Sequence, residues 1–391
     1  MSRPAGLVPR MRPFTTTVFA EMSALATRTG AVNLGQGFPD TDGPASLLAG
    51  AVDAVLGGRN QYPPGPGVPE LRTAVAEHQQ RFWGLDVSPD DVLVTTGATE
   101  AIAAVVMALT GPGDEVVVLE PYYDSYAAVI ALAGAQRRTV PLRAPDFRLT
   151  EEALRAAFSE RTRLVLLNTP HNPTGTVLSR AELELVARLA VEHDAVVLCD
   201  EVYEHLVFSG AEHVPLASLP GMAERTLVTS SAGKTFSVTG WKVGWLHGPP
   251  DLVGAARAVK QFLTYVSAGP FQPAVAAALA LPEEVFTGFA ADLERKRDLL
   301  SEGLRAAGLA VNRCDGTYFV TADTTPLGVT DASALAWRMP ELVGVAAIPV
   351  QVFCDDPAAA PTLLRFAFCK RDDVLQAAVD RLAALGPRLA A

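Results

Sequence analysis

The sequence predicts an α/β protein: a large unit with a mostly parallel sheet between helices, followed by a smaller α+β unit. Three observations carry this reading. Short, continuously apolar runs such as RLVLLN (163–168) and AVVLCDE (195–201) have the length and composition of strands buried on both faces. Helical patterns separate them, which is the βαβ alternation of a parallel sheet. Polar residues recur just after the runs, at Thr95 to Thr99, Asn168 to Asn172, Asp200 to Tyr203 and Ser230 to Lys234. Open α/β sheets bind ligands at such strand ends.

The elements follow in order. The Pro/Gly-rich YPPGPGVPE (62–70) marks a shaped loop, and ELRTAVAEHQQRF behind it reads as a helix. VLVTT (92–96) is a strand, and GATEAIAAVVMALT (97–110) is a helix that opens on small residues. EVVVLEP (115–121), RLVLLN, AVVLCDE and RTLVTSS (225–231) are strands, with helix AELELVARLAVEHD (181–194) among them. AVAAALALP (274–282) reads as helix. Beyond about residue 285 a long charged helix, DLERKRDLLSEGLRAAG (292–308), precedes short strands in GTYFVTA, VAAIPV and LLRFAFCK. The expected organisation is an N-terminal arm and small-unit segment over 1–45, a large unit over 46–285 and a C-terminal small unit over 286–391.

Composition narrows the function. Of 391 residues, 49% are hydrophobic and 19% charged, which supports a large core and excludes a disordered chain. A net charge of −11 without any Lys/Arg run argues against nucleic acid as a partner. No apolar run approaches the ~20 residues of a membrane span. The opening MSRPAGLVPRMRPF lacks the apolar core of a signal peptide, so a cytoplasmic location is expected, with no membrane partner. Cys199, Cys314, Cys354 and Cys369 form no C-x-x-C pair and the histidines no H-x-x-x-H pair, which disfavours a metal. Cys199 ends AVVLC and is expected as a buried small hydrophobe.

SSAGKTFSVTGWKVGW (230–245) sets Lys234 among small residues after an apolar strand. Burying an ammonium there lowers its pKa, and a low-pKa lysine suits Schiff-base chemistry. A surface lysine in a Gly/Ser loop is the alternative on this segment alone. Asp200 ends a buried strand, where a poorly solvated acid needs a cationic partner. A pyridinium nitrogen is one such partner, and an Asp on that nitrogen with a lysine Schiff base is the arrangement that holds pyridoxal phosphate (PLP). Arg365 alternates with apolar residues in LLRFAFCK, so it is either a solvated edge residue or a bidentate carboxylate clamp. Tyr123, alone, reads as a core aromatic.

Eight segments occur in order: NLGQGFPD (33–40), QYPPGPG, TTGATEA, EPYYDSY, NTPHNPTG (168–175), CDEVYEH, SAGKTFSVTGWKVGW and LRFAFCK. With them the chain resembles, over nearly its whole length, the class I/II aminotransferases of PLP fold type I. It is most similar to the branch holding kynurenine, glutamine and methionine aminotransferases. Through TTVFAEMSALA (16–26) and GTYFV it resembles actinobacterial N-succinyldiaminopimelate aminotransferases.

The resemblance implies a role for each matching residue. Lys234 would carry PLP as a Schiff base and, once freed by substrate, move the proton between the substrate α-carbon and the cofactor. Asp200 would keep the pyridine nitrogen protonated. Asn172 and Tyr203 would hydrogen-bond the phenolic oxygen, and Tyr123 would stack on the ring. Ala98 and Thr99, opening a helix, would offer backbone N–H groups and a favourable dipole to the phosphate. Ser231 and Lys242 would add a hydroxyl and a charge; many relatives carry Arg in place of Lys242, and lysine lacks its fork. Tyr62 would reach the phosphate of a neighbouring subunit, which implies a homodimer with shared sites; otherwise it packs under its own prolines. Arg365 would clamp the substrate carboxylate with Asn172 and the N–H of Gly37, while Phe19 and Phe353 line the side-chain pocket.

The implied activity is PLP-dependent transfer of an amino group between an amino acid and a 2-oxo acid, with 2-oxoglutarate/glutamate as one pair. Small residues at Ser267, Ala268 and Gly269 leave room for a long or acylated side chain, which fits N-succinyl-diaminopimelate as donor. A PLP-dependent C–S β-lyase or a specialised biosynthetic enzyme on the same scaffold is the alternative. A non-enzymatic binding protein would be expected to lack Lys234, Asp200 or Arg365, and all three are present.

Overall fold

The computed structural model describes residue 6, residues 8–14 and residues 17–390. β1 (Val32–Asn33) precedes the large sheet. That sheet contains β2 (Val92–Thr96), β3 (Glu115–Glu120), β4 (Gln136–Pro141), β5 (Thr162–Asn168), β6 (Val196–Asp200), β7 (Thr226–Ser231) and β8 (Val243–His247). Then follow β9 (Ala310–Val311), β10 (Phe319–Asp323), β11 (Val345–Ala346), β12 (Ile348–Pro349) and β13 (Leu363–Ala367).

The large sheet has the spatial order β2-β8-β7-β6-β5-β3-β4. β4, β3, β5, β6 and β7 run parallel, and β8 is antiparallel to both β2 and β7. Alternate side chains separate onto two cores. Val165, Leu167, Val197 and Cys199 face one, shared with Leu183, Val186 and Leu189 of helix Arg180–Glu192. Leu164, Leu166 and Leu198 face the other, under helices Gly97–Leu109, Asp124–Ala133 and Pro250–Lys260. Both faces are covered, which is why these strands read as continuous apolar runs.

Two strands of the large sheet have no counterpart in the sequence reading. β4, QRRTVP, is a half-polar edge strand whose arginines leave no apolar run to see. β8, VGWLH, is completely buried, and it lies inside a segment read as a site motif. The helix expected from residue 292 begins at Glu283, after Pro282, with Glu283 and Glu284 favourably placed at its positive end.

The strands of the large sheet all lie between residues 92 and 247, and β9 to β13 between 310 and 367. The smaller sheet is antiparallel, in the order β12-β13-β10-β9. β1 pairs in parallel with β11, so the N-terminal segment attaches to the C-terminal part of the chain. Among the described residues, no single helix is long and apolar enough to cross a membrane.

Candidate active site

β5, β6 and β7 end side by side, and their C-terminal ends open into a cavity of about 290 Å³. Lys234 lies in the short helix Ala232–Thr235 that follows β7, and it lines the cavity. Its Nζ donates to the Tyr318 hydroxyl at 2.9 Å. Burial pushes the amine down to about 8, against the opposing pull of Cys369 and Asp200. The surface-lysine alternative is therefore corrected: desolvation dominates this amine.

Asp200 is the last residue of β6 and is buried in the cavity wall. Its carboxylate accepts from the Tyr126 hydroxyl at 2.5 Å and from the Val202 N–H at 3.4 Å. Its main-chain carbonyl accepts from Asn168 Nδ2 at 2.9 Å. Burial pushes the carboxyl up to about 6, although both donors act to lower it. Among the described residues it forms no ion pair with Lys or Arg within 4.0 Å. A buried acid of this kind fits a cationic ring nitrogen supplied from outside the chain.

The start of helix Gly97–Leu109 closes another side. The Thr96 side chain makes no capping bond and Glu100 Oε2 takes the Thr96 N–H at 2.6 Å, so the N–H groups of Gly97, Ala98 and Thr99, all lining the cavity, keep the dipole behind them without a side-chain partner. Gly97 has φ +69°, and a Cβ there would stand 3.0 Å from Lys242 Nζ. A Cβ on Gly244 would stand 2.7 Å from the nitrogen of Ala98, so β8 packs directly on the helix start. Ala98, Thr99, Ser231 and Lys242 all line the cavity, with Lys242 Nζ 3.5 Å from Thr99 Oγ1. Free N–H groups, two hydroxyls and a cation fit the chemistry of a phosphate.

Arg365 sits on β13, between β12 and β10, and is 1% exposed. This corrects the solvated-edge alternative. Its Nη1 donates to Asn172 Oδ1 and its Nη2 to the Gly35 carbonyl, both at 2.9 Å, while Nε is buried without a partner. The guanidinium carbon lies 4.0 Å from the Phe319 ring centre, 5.0 Å from that of Phe353 and 5.2 Å from that of Phe19. Burial lowers its pKa to about 10. No carboxylate of the described residues pairs with it, so its charge is available to an incoming anion.

The remaining predicted residues divide. Phe19, Gly37, Tyr123, Asn172 and Tyr203 line the cavity. A Cβ on Gly37 would meet Phe319 at 2.4 Å, so only glycine fits there unshifted. Tyr123 stands perpendicular to Tyr126 at 5.7 Å, and burial pushes its phenol up to about 12. Phe353 is a correction: it is fully buried, 5.0 Å from the guanidinium carbon, and is not among the residues that line the cavity. Tyr62 is 80% exposed, outside the cavity, with its ring edge-on to Tyr265 at 5.6 Å, so it is not packed away under its prolines.

Sequence reasoning missed three residues. Tyr126 stands three positions after Tyr123 within EPYYDSY, and Asn168 opens NTPHNPTG. The Asn168 side chain holds the Asp200 carbonyl and also accepts from the Asn172 N–H at 2.8 Å. Tyr318 lay in GTYFVTA, read as a strand and as part of the resemblance but given no site role.

The chain matches the family described as aminotransferase class I and II over residues 29–382. It is 54% identical to a Mycobacterium tuberculosis protein named probable N-succinyldiaminopimelate aminotransferase DapC, across 97% of this chain and 99% of that one. It is 41% identical to the methionine aminotransferase of Escherichia coli K12, across 94% and 95% of the two chains. The solved structure of N-succinyldiaminopimelate aminotransferase from M. tuberculosis superimposes with a TM-score of 0.95 at 54% identity, covering 97% of this chain and 100% of that one. These relatives are transaminases, which disfavours the C–S lyase alternative. With its fold type I architecture and this match, the chain belongs to the class I and II aminotransferases, a family of PLP enzymes, and is a transaminase.

Proposed function

We propose that this transaminase holds PLP in the cavity at the ends of β5, β6 and β7, with Lys234 as its covalent anchor. One observation carries the reading. A single cavity sets a low-pKa lysine between a buried acid that lacks a cation and a buried guanidinium that lacks an anion.

When bound, PLP supplies an electron sink that lets an amino acid lose its α-proton. The chain's residues do the rest. Asp200 holds a proton on the ring nitrogen. Asn172 and Tyr203 hydrogen-bond the phenolic oxygen, and Tyr123 covers the ring and excludes water. Ala98, Thr99, Ser231 and Lys242 bind the phosphate. Lys234 Nζ takes and returns the α-proton, a task suited to an amine that titrates near 8. Arg365, with Asn172 and Gly37, orients the α-carboxylate, and Phe19 borders the side chain.

The same proposal includes a homodimer in which Tyr62 reaches the partner's phosphate. Tyr62 at 80% and Phe262 at 89% exposed, with Leu56, Leu263 and Tyr265 also uncovered, support a further surface being buried there. N-succinyldiaminopimelate is the proposed donor and 2-oxoglutarate the acceptor. The named M. tuberculosis relative supports this.

Borohydride should fix PLP on Lys234 in a peptide map; label on Lys242 or Lys260 instead would overturn the anchor. A donor panel with 2-oxoglutarate should rank N-succinyldiaminopimelate above methionine, glutamine and kynurenine. Without any keto acid, the amino acid should be consumed only once per site, whereas continued release of pyruvate and ammonia would identify a lyase.

A further inference from the structure

We propose that Tyr318 is a positioning residue for the amino group of Lys234, which it ties to the backbone of the Gly35–Gly37 strap. This rests on the reading of Lys234 as the reactive lysine. Tyr318 is completely buried just before β10, and its own carbonyl accepts from the Phe368 N–H at 2.9 Å. The rings of Phe319 and Tyr203 pack on it, with centroids at 4.7 and 5.2 Å. Backbone and ring are therefore both held.

Its hydroxyl meets the Gly37 carbonyl at 2.6 Å and Lys234 Nζ at 2.9 Å, with the Tyr203 hydroxyl as a further neighbour. A carbonyl can only accept, so the single hydroxyl proton is committed to Gly37. Tyr318 is then an acceptor toward lysine, and Nζ must donate to it. A neutral amine has two N–H bonds and one lone pair. With one N–H held by Tyr318, the lone pair stays free to face the cavity. The amine is thus presented as a base rather than consumed as an acceptor. Two residues along the strap, the Gly35 carbonyl holds Arg365 Nη2 at 2.9 Å, so the lysine and the arginine are registered on one piece of backbone.

The test reads Lys234 itself. Its amine also faces Cys369, Asp200, Lys242, Arg365 and Tyr203. These stay constant when Tyr318→Phe removes only the oxygen. An acceptor oxygen favours the ammonium form, so losing it should lower the pH midpoint of trace acetylation of Lys234 in the PLP-free protein by about one unit. In the PLP-loaded enzyme, the α-proton step should slow about tenfold, a part of what a positioned base supplies. The isotope effect with an α-deuterated amino acid should rise, while PLP affinity should stay within about twofold.

If Tyr318→Phe does not fold, Tyr318→3-fluorotyrosine decides the matter. It keeps the oxygen in place as a weaker acceptor and should give a smaller shift of the same sign. An unchanged midpoint and isotope effect would overturn the role. So would a loss of PLP affinity as large as the loss of rate, which would make Tyr318 part of the cofactor cradle. Label on a lysine other than Lys234 after borohydride reduction of the wild type would instead defeat the underlying reading.

Discussion

The Tyr126 hydroxyl donates to the Asp200 carboxylate at 2.5 Å, and it does so where burial pushes that carboxyl up to about 6. The bond opposes the desolvation that would otherwise keep Asp200 protonated at neutral pH. Tyr126 thus acts on the ionisation of an acid that, in the proposed role, is charged when it holds a protonated ring nitrogen.

Tyr126→Phe removes the donor and leaves the ring packing in place. Asp200 should then titrate at higher pH, because a hydrogen bond to the charged form favours that form. Hydrogen bonds to charged groups contribute about 1.5–3 kcal/mol, which corresponds to one or two pH units. The acid limb of PLP binding should move up by that amount, with PLP affinity at pH 6 falling about tenfold or more. Fluorescence titration with PLP between pH 5 and 8 measures this. An unmoved limb would remove Tyr126 from the ionisation of Asp200.

Lys234 makes the opposite kind of prediction, for stability. Its folded-state pKa is about 8, against an ordinary 10.5. Below pH 8 the partly buried ammonium opposes folding in full. As pH rises from 8 to 10.5 the unfolded chain still binds the proton that the folded chain has released, so that cost is relieved. Lys234→Met should therefore stabilise the PLP-free protein near pH 7 by about 1–3 kcal/mol, and the difference should fade by pH 10.5. Denaturant midpoints across the window check the sign as well as the size.

What is legible in the sequence alone follows a physical pattern. Lys234 and Asp200 announce themselves because a charged residue in an apolar or small-residue setting is costly and needs a reason. β5 and β6 announce themselves because both of their faces are buried. Tyr126 and Tyr318 could not be found this way. Their partners lie 74 and 84 residues distant, and a tyrosine among apolar residues is indistinguishable from ordinary core. Phe353 was expected at the pocket from its place in the family pattern, and such a pattern does not say whether a buried aromatic faces the cavity or packs within the core. β8 was missed because a segment rich in site residues drew attention from its buried strand.

Gly37 offers a purely steric test. A Cβ there would stand 2.4 Å from Cζ and 2.7 Å from Cε1 of Phe319, in a ring already packed on Arg365. Gly37→Ala must shift the strap or the ring. The Gly35 bond to Arg365 and the Gly37 bond to Tyr318 would loosen together. KM for amino acids should rise about tenfold, with PLP affinity less affected, since the residues proposed to bind the phosphate lie on other elements. Steady-state kinetics beside a PLP titration separates the two effects, and an unchanged KM would show that the strap absorbs a methyl group freely.

Arg365 tests whether the substrate must carry an α-carboxylate. Its guanidinium is buried with Nε unpartnered, two of its donors are held by neutral oxygens, and three aromatic rings surround it. An anion entering beside it gains a charge-assisted, two-pronged bond in a site largely closed to water. At about 1.5–3 kcal/mol for such bonds, removal should lower apparent affinity about 10- to 100-fold. Arg365→Lys keeps the charge but loses the fork and the flat face against Phe319, so it should already be damaged. Donor amino acid and acceptor 2-oxo acid should suffer equally, because both present the same carboxylate. A simple amine should be a poor substrate of the wild type and little changed in either variant. Measuring kcat/KM for one amino acid, one 2-oxo acid and one amine in Arg365→Lys and Arg365→Ala separates loss of the clamp from general damage. Amino-acid and keto-acid kinetics that survive Arg365→Ala would move the carboxylate site elsewhere in the cavity.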